Sequence, residues 1–552
     1  MSPSGSTRVV FLGGLGEIGR NMMVFEKAGK LLIVDVGLSF PNDEMLGVDL
    51  VLPDFSYVVD RAPDCVGVVL THGHEDHVGA LTWFLREVEV PVYGTPLTLG
   101  LARRRLDEHG VKAEMVAVEA PGRGRIGPFD CTFFPVSHSI PDAIGISLKT
   151  EDGRILYTSD FKLDEAPIDG RHTDVGLIRE LAEEGVDLLL SDSTNVETPG
   201  RTPSESIVGD AFREIFGAAR RRIIVACFAS NLHRVQQVLA AAEEVGRKVA
   251  LAGRSMIANV EVGRELGHIK VSDRTLIDLE TVDDHRPENL VIVCTGSQGE
   301  PLSALSLIAA GEHKWVRVQP DDTVILSASP IPGNESAVHR VVNGLYRAGA
   351  AVFHSETAKV HASGHAASVE LQEMLRLVHP RNFTPVHGEF RQLALHARLA
   401  EGSGVARDRI RIVEDGDVLE LDDGKVTRGE SVRAGTILVD GLGVGDVGPV
   451  VLRDRRHLAG DGILVCVVAI DSHNGELISG PDLISRGFVH MDESRDFLDE
   501  AADRVADAVE TLEKDQITDW AAVKKACRKA LGEFVWQETR RRPMILPIVM
   551  DV

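Results

Sequence analysis

The sequence predicts an α/β protein in which one α/β unit is inserted into another and a smaller α/β domain follows. Over roughly the first 200 residues, short apolar strand-like runs alternate with turns and a few helices. From about Ser204 to Phe353 the pattern changes to regular helix–strand alternation, which is typical of a doubly wound sheet. The earlier pattern resumes near Val360, so the second part is predicted to be an insertion.

Composition restricts the class of protein. The chain has 552 residues, enough for several domains, and its net charge of −25 argues against indiscriminate nucleic-acid binding, which needs a basic surface. Its six cysteines lie far apart, four of them in or beside apolar runs, which indicates buried thiols in a reducing compartment. No apolar run is long enough to cross a bilayer and no signal-peptide pattern is present, so we expect a cytoplasmic protein without a membrane partner.

The first motif is the segment Gly13–Asn21, GGLGEIGRN, which contains the spacing GxGxxG and is followed by Asp35. A dinucleotide site would need a helix directly after the glycines. The residues that follow, NMMVFEKAGKLLIVDVG, instead predict two strands joined by a turn at Gly29. We therefore interpret the glycines as permitting a tight turn between strands.

The second motif follows a buried strand, Val66–Leu70, and reads THGHEDH. Ordinary solvated loops favour Gly, Asn, Ser and Lys rather than clustered imidazoles and carboxylates. These groups suit Zn²⁺ or Mn²⁺. His72 and His74 can bind one ion, and the adjacent Asp76 and His77, at the start of the next helix, can bind a second.

Two ions need further ligands, and three residues have a suitable setting at the ends of apolar runs: His138, Asp160 and His387. Taken singly, each would more often be a hydrogen-bonded structural residue. Beside the histidine-rich motif, we interpret them as candidate metal ligands.

These residues together resemble the metallo-β-lactamase fold, an αββα sandwich. The resemblance implies a division of the ligands between two ions: His72, His74 and His138 for the first, Asp76, His77 and His387 for the second, with Asp160 bridging both. It also implies that Asp35, which closes the strand LLIVD, orients the histidine-rich motif.

The inserted unit resembles the β-CASP insertion, which marks the branch of this fold that cleaves nucleic acids. SDSTN, HASGHA and PVHGE match the motifs of that branch, with Asp192, His365 and His387 as key residues. With GGLGEIGRN and the C-terminal domain, the whole chain is similar to the ribonuclease J family. We expect these domains: 1–207 with 358–450, metallo-β-lactamase; 208–357, β-CASP; 451–463, a linker; and 464–552, a C-terminal domain with a hairpin around Asn474-Gly475.

The resemblance implies a metal-dependent 5′→3′ exoribonuclease that prefers 5′-monophosphate ends, also has endonuclease activity, and acts in mRNA decay and rRNA maturation. Two divalent ions, Zn²⁺ or Mn²⁺, would activate water and neutralise charge on phosphate oxygens. Asp76 and Asp160 belong to the expected catalytic set. His365 is the candidate proton donor to the leaving 3′-oxygen, because a histidine can be protonated near pH 7.

RNA-binding residues are expected around the insertion. Ser230 lies near a helix start, where free N–H groups favour anions, although plain N-capping explains it equally well. By resemblance, the 5′-phosphate pocket and nearby RNA contacts comprise Ser230, Asn231, His233, His361, Ala362, Ser363, Gly364 and His365. His361 fits a role in orienting its loop equally well.

The resemblance also implies an additional structural divalent ion, such as Ca²⁺. Its ligands would be Asp49, Asp440 and the carbonyl of Gly47. The residues alone support this weakly, since single aspartates in glycine-rich loops usually form turns.

Alternative functions stay open at this point. A small-molecule hydrolase is disfavoured by the insertion and His365, and a non-catalytic scaffold by the full set of seven ligands. A DNA-directed β-CASP nuclease remains an alternative, because specificity for RNA is not visible in the residues. The expected partners are single-stranded RNA with a 5′-monophosphate, further copies of the chain in a dimer or tetramer formed through the C-terminal domain, and an RNA-degradation complex.

Overall fold

The computed structural model describes residues 5–300, 302–331, 333–471, 477–489, 494–512 and 519–551. The chain divides into two compact units: Met1–Phe40 with Leu50–Ile437, and Pro41–Asp49 with Leu438–Val552. The turn predicted at Asn474-Gly475 lies outside the described residues. Among the helices that are described, none has the length and apolarity of a membrane span.

The first unit contains two mixed sheets. Eight described strands form the first sheet, in spatial order: Lys425–Arg428, Val418–Asp422, Thr7–Gly13, Met22–Lys27, Lys30–Val34, Cys65–Val69, Val92–Gly94 and Met115–Ala117. Six described strands form the second: Asn382–Val386, Leu188–Asp192, Gly153–Tyr157, Ile144–Thr150, Phe129–Pro135 and Gly122–Ile126. The predicted hairpin after GGLGEIGRN is confirmed, because Met22–Lys27 and Lys30–Val34 pair antiparallel.

The two sheets share one apolar core, to which Phe11 and Phe25 of the first sheet and Phe133 and Tyr157 of the second contribute. Successive side chains of a strand point to opposite faces, and the strands Met22–Lys27 and Leu188–Asp192 are buried along their whole length, so each sheet also buries a second face. The helices that alternate with these strands along the chain are Ser56–Val59, Glu75–Val78, Leu81–Glu87, Pro96–Glu108, Val175–Glu183, Ser368–Val378 and Phe390–Gly402. The predicted metallo-β-lactamase sandwich is confirmed.

The insertion forms its own parallel sheet, in the order Leu276–Ile277, Lys248–Ala252, Leu290–Cys294, Ile223–Ala226, Thr323–Leu326 and Ala351–Phe353. Its helices are Ser206–Ala218, Leu232–Glu244, Arg254–Glu265, Ala304–Ala310 and Glu335–Arg347. Buried cores lie on both sheet faces, with Val225 and Val293 in one and Ile224 and Ile292 in the other. This pattern confirms the doubly wound insertion.

Several short elements complete the first unit. The extended pairs Leu15–Gly16 and Gly388–Glu389 form a two-stranded parallel ladder, and Leu50–Pro53 is a further strand. Short 3₁₀ helices occur at Ala62–Asp64, Leu279–Asp284, Pro287–Asn289 and Arg407–Arg409.

The second unit contains the C-terminal domain. Its described sheet has the order Leu477–Arg486, Ile463–Ile470 and Met544–Asp551, and helices Arg495–Glu510 and Trp520–Thr539 pack on one face. The short strand Gly443–Val444 pairs with the end of Thr436–Asp440. Most of the predicted linker is helical, as Pro449–Asp461, because a proline suits the first helical turn and Gly462 ends the helix.

Candidate dinuclear metal centre

The seven predicted ligands come together in the first unit because they follow the carboxyl ends of four strands: Cys65–Val69, Phe129–Pro135, Gly153–Tyr157 and Asn382–Val386. Their ligand atoms form two compact groups, one of three histidines and one of two aspartates with two histidines. Within each group these atoms lie within 4.8 Å of one another.

The first group contains His72, His74 and His138. His138 Nδ1 lies 2.8 Å from the carbonyl oxygen of Gly364, so Nδ1–H donates there and Nε2 faces the group, 3.0 Å from His74 Nδ1. Burial lowers the pKa of His72 and His138 well below the ordinary value and that of His74 to about 4. These imidazoles are therefore neutral at pH 7, which is the form that binds metal.

The second group contains Asp76, His77, Asp160 and His387. Burial disfavours a charged His77, but the carboxylates of Asp160, Asp76 and Asp35 outweigh it and raise its pKa well above the ordinary value. These closely spaced acidic groups make the second group strongly attractive to a cation.

Asp160 lies between the two groups. Its Oδ2 is 3.2 Å from His77 Nε2 and 3.6 Å from His72 Nε2, while its Oδ1 is 3.4 Å from His387 Nδ1. Burial disfavours its negative charge, yet the nearby histidines, led by His387, hold its pKa well below the ordinary value. Oδ2 therefore lies within reach of both groups, while Oδ1 faces His387 of the second group.

Asp35 supports the second group from behind. Its Oδ2 lies 2.8 Å from His77 Nδ1, and its Oδ1 accepts the backbone N–H of Thr71 at 2.8 Å. The bond to Asp35 places the proton of His77 on Nδ1 and leaves Nε2 free to coordinate metal.

Three buried ligand atoms have no hydrogen-bond partner among the described residues: His72 Nε2, Asp160 Oδ1 and His387 Nδ1. Buried polar atoms are normally hydrogen-bonded, so orphaned atoms that converge need another partner. Imidazole nitrogens and carboxylate oxygens are ligands that Zn²⁺ accepts. The residues therefore fit two divalent ions.

His365 lies beside the centre. Its Nδ1 is 2.8 Å from Asp192 Oδ2 and 3.9 Å from Asp160 Oδ2. Burial alone would lower its pKa, but Asp192, with help from Asp160 and Asp76, raises it to about 9. His365 is thus protonated at neutral pH and can donate a proton.

The rest of the HASGH loop is packed against the centre. A Cβ on Gly364 would lie 2.6 Å from His138 Cε1, so only glycine allows this approach. Ala362 is buried, and the Ser363 hydroxyl accepts the His365 N–H at 3.1 Å. Burial, reinforced by Arg234 and Lys162, lowers the pKa of His361 to about 3.

The predicted phosphate residues surround the start of helix Leu232–Glu244. Asn231 caps this helix, since its side chain accepts the Arg234 N–H at 2.9 Å. His233 Nε2 lies 3.3 Å from Asp169 Oδ2, and Ser230 is half-buried. Asn231 and His233 thus already have protein partners, and their role toward RNA stays a prediction.

The residues predicted for a structural ion lie in the second unit. Asp49 Oδ2 accepts the Gly441 N–H at 2.8 Å, while Asp440 forms an ion pair with Arg455. Arg455 also donates to the Leu46 carbonyl at 2.9 Å and would lie 2.8 Å from a Cβ on Gly47. A guanidinium therefore supplies positive charge beside Asp440, and the ion stays a prediction.

Asn21 has no role predicted from the sequence, yet its side chain reaches Asp76 and His77. A tight turn between strands needs only two to five residues, whereas the segment Gly13–Asn21 has nine. The extra length indicates that the segment does more than connect two strands, but it does not predict the contact of Asn21 with Asp76 and His77.

Comparison with known proteins covers most of the chain. Residues 15–194 match the metallo-beta-lactamase superfamily and 220–345 the family described as "Ribonuclease J, beta-CASP domain". Residues 354–412 match the "Zn-dependent metallo-hydrolase RNA specificity domain" and 450–552 the "Ribonuclease J C-terminal domain".

Two curated relatives are similar over their full length. Ribonuclease J2 of Bacillus subtilis is 41% identical over 550 residues, covering 99% of both chains. Ribonuclease J of Mycobacterium tuberculosis is 43% identical over 550 residues, covering 100% of this chain and 98% of its own. A crystal structure of a protein of unknown function from Enterococcus faecalis V583 matches with a TM-score of 0.52 and 15% identity, over 77% of this chain and all of that one, which supports the fold alone.

Proposed function

The chain belongs to the ribonuclease J family, and we propose that it is a 5′→3′ exoribonuclease that prefers 5′-monophosphate ends and also cleaves internally. The coarser function, a metal-dependent RNA nuclease, follows from the family and the metallo-β-lactamase and β-CASP domains. The observation that carries it is the pair of ligand groups joined by Asp160.

The metal assignment is part of the proposal: His72, His74 and His138 would hold one ion, Asp76, His77 and His387 would hold the second, and Asp160 would serve both. Bound Zn²⁺ or Mn²⁺ would supply Lewis-acid activation of water and of the scissile phosphate. The protein contributes fixed ligands in a buried setting, where electrostatic stabilisation is strongest.

His365 provides the proton that the leaving 3′-oxygen needs. Asp192 holds its ring through the 2.8 Å contact at Nδ1, which leaves the Nε2–H of the charged imidazole as the bond available for donation. Asp35 keeps the tautomer of His77 fixed through the 2.8 Å contact at Nδ1.

The preference for a 5′-monophosphate rests on the family and on the start of helix Leu232–Glu244, where backbone N–H groups favour an anion. Ser230, Asn231 and His233 are the proposed phosphate contacts, with the HASGH loop along the adjacent RNA backbone. We further propose a role in mRNA decay and rRNA maturation, a cytoplasmic location, and membership of an RNA-degradation complex.

Self-association through the C-terminal domain is supported by its sheet. The face opposite the helices carries exposed apolar side chains on the two outer strands of the sheet, including Ile484, Leu546 and Ile548. Such a face is typical of an interface. We propose a homodimer or homotetramer.

The proposal also includes the domain boundaries given above and the structural ion at Gly47, Asp49 and Asp440.

The test uses purified protein with Zn²⁺ or Mn²⁺ and one single-stranded RNA carrying either a 5′-monophosphate or a 5′-triphosphate. Nucleotides should be released from the monophosphorylated end, and more slowly from the triphosphate. Equal rates of release from the two ends would contradict the proposed 5′-monophosphate pocket. No release from any RNA would contradict the proposed ribonuclease activity. A DNA strand of the same sequence tests the alternative of a DNA-directed nuclease.

A further inference from the structure

The glycine-rich segment Gly13–Asn21 ends at a buried asparagine that holds the backbone of a metal-ligand candidate. Asn21 is 5% exposed. Its backbone N–H donates to the Asp76 carbonyl at 3.0 Å, and its side-chain Nδ2 donates to the same carbonyl at 3.1 Å. The Gly37 N–H in turn donates to the Asn21 carbonyl at 2.9 Å. Asp76 is therefore fixed through its main chain.

The same carboxamide reaches His77. Its Nδ2 lies 3.1 Å from His77 Nε2. Nε2 is the atom that would hold the ion, and its single lone pair cannot serve the ion and Asn21 together. The contact therefore places the carboxamide beside the ligand atom of His77, while the support that Asn21 gives to the second group runs through the main chain of Asp76.

The other end of the segment lies against the strand that follows His387. Leu15 and Gly16 pair in parallel with Gly388 and Glu389. The segment therefore touches the second ligand group from two directions, through Asp76 and His77 on one side and through the chain beside His387 on the other.

Two glycines make this approach sterically feasible. A Cβ on Gly37 would lie 1.7 Å from the Asp76 carbonyl oxygen, and a Cβ on Gly14 would lie 2.4 Å from Asn21 Oδ1. Neither space could accommodate a methyl group without moving Asn21 or Asp76. Close backbone approach is thus the structural use of these glycines.

Arg20 and Asp415 fix the segment to the neighbouring loop. Arg20 donates to the Gly435 carbonyl at 2.8 Å and lies 3.3 Å from Asp415 Oδ2. Asp415 Oδ1 accepts the Leu15 N–H at 3.2 Å. These contacts hold the segment on both sides of its glycines.

The contacts are selective for one ligand group. Within the described part of the chain, no hydrogen bond joins Gly13–Asn21 to His72, His74 or His138. A change at Asn21 should therefore act on the second group and leave the first intact.

We propose that Asn21 is a positioning residue that sets the affinity of the second ligand group, Asp76, His77 and His387, for its divalent ion. This inference rests on the two-ion centre of the proposed function. Partners that orient metal ligands typically contribute 10- to 100-fold in affinity, roughly the effect to be expected here.

The experiment compares wild type, Asn21→Ala and Asn382→Ala. Asn382 is a matched control because it is 1% exposed and its Nδ2 also donates to main-chain carbonyls, those of Asp187 at 2.8 Å and Gly424 at 3.1 Å. It lies at the far end of its strand from His387. Zinc titration against a chromophoric chelator, with elemental analysis after dialysis, gives both dissociation constants without any activity measurement.

Asn21→Ala should lower the affinity for one zinc ion by about 10- to 100-fold and leave the affinity for the other unchanged. Asn382→Ala should bind both zinc ions with wild-type affinity. Melting of the metal-free proteins shows whether each variant is folded. Unchanged affinities in Asn21→Ala, or an equal loss at both ions in a folded protein, would overturn the inference. If wild type binds fewer than two zinc ions, both the inference about Asn21 and the two-ion centre are wrong. If wild type binds two ions and cleaves RNA, the proposed function stands whatever the result for Asn21→Ala.

Discussion

Replacing Asp35 with asparagine should separate the orientation of a ligand from the ligand itself. Asn has nearly the same shape as Asp and tolerates the left-handed backbone of this position, where φ is 61°. Its Oδ1 can still accept the Thr71 N–H. Its Nδ2, however, would face His77 Nδ1 and donate to it, which would drive the proton of His77 to Nε2, the atom that should bind metal.

The magnitude follows from the bond that is lost. The contact from His77 Nδ1 to Asp35 Oδ2 is 2.8 Å long, and both side chains are at most 1% exposed. A hydrogen bond to a charged group contributes roughly 1.5–3 kcal/mol. At about 1.4 kcal/mol per factor of ten, Asp35→Asn should weaken the ion at the second group by roughly 10- to 150-fold.

The assay is zinc titration with the RNA cleavage rate measured at limiting and at saturating metal. A suitable control is Asp322→Asn, because Asp322 is equally buried and accepts from Arg222 and the Gln319 N–H in the insertion. Asp35→Asn should lose activity at limiting zinc and regain part of it at high zinc, and the control should do neither. If Asp35→Asn retains wild-type affinity for both ions, the tautomer argument is wrong.

Two further predictions follow from the site and its surroundings. His77→Ala should reduce RNA cleavage by at least about 100-fold while RNA binding, measured by filter retention, survives, because the side chain is fully buried in the centre; near-full activity would contradict the two-ion assignment. Burial raises the pKa of Asp415 to about 7 despite its pairing with Arg20, so the folded protein retains a proton that the unfolded chain releases near pH 4. Wild-type stability should therefore fall as the pH rises from about 5 to 8, and the thermal midpoint of Asp415→Asn should gain on that of wild type over this range; a constant difference would contradict the raised pKa.

Local patterns determined the class of the fold. The apolar runs at Lys30–Val34, Cys65–Val69 and Leu188–Asp192 are short and rich in Val, Ile and Leu, which is enough to predict buried strands. The alternation of helices and strands in the insertion could be predicted in the same way. The helix Pro449–Asp461 was not predicted, because its segment is rich in glycines and charges and begins at a proline.

The candidate ligands could also be found in the sequence, because histidines and aspartates at strand ends are chemically distinctive. The residue types in the motif THGHEDH are enough to predict His72, His74 and Asp76 as metal ligands. The resemblance to a family supplied the division into two groups, and the structure brings the same residues into two such groups.

Only the tertiary structure decided which atoms meet across long sequence separations. The contact of His365 with Asp192 joins residues 173 positions apart, and that of Asn21 with His77 joins residues 56 apart. The spacing of the glycines in Gly13–Asn21 is visible in the sequence, but it does not show what they or Asn21 contact. Their roles arise because strand pairing places Leu15 and Gly16 beside Gly388, and a backbone hydrogen bond places Asn21 against Asp76. A side chain larger than hydrogen at Gly37 would collide with Asp76. The sequence by itself determined which groups could bind metal, and packing decided which neighbours hold them in place.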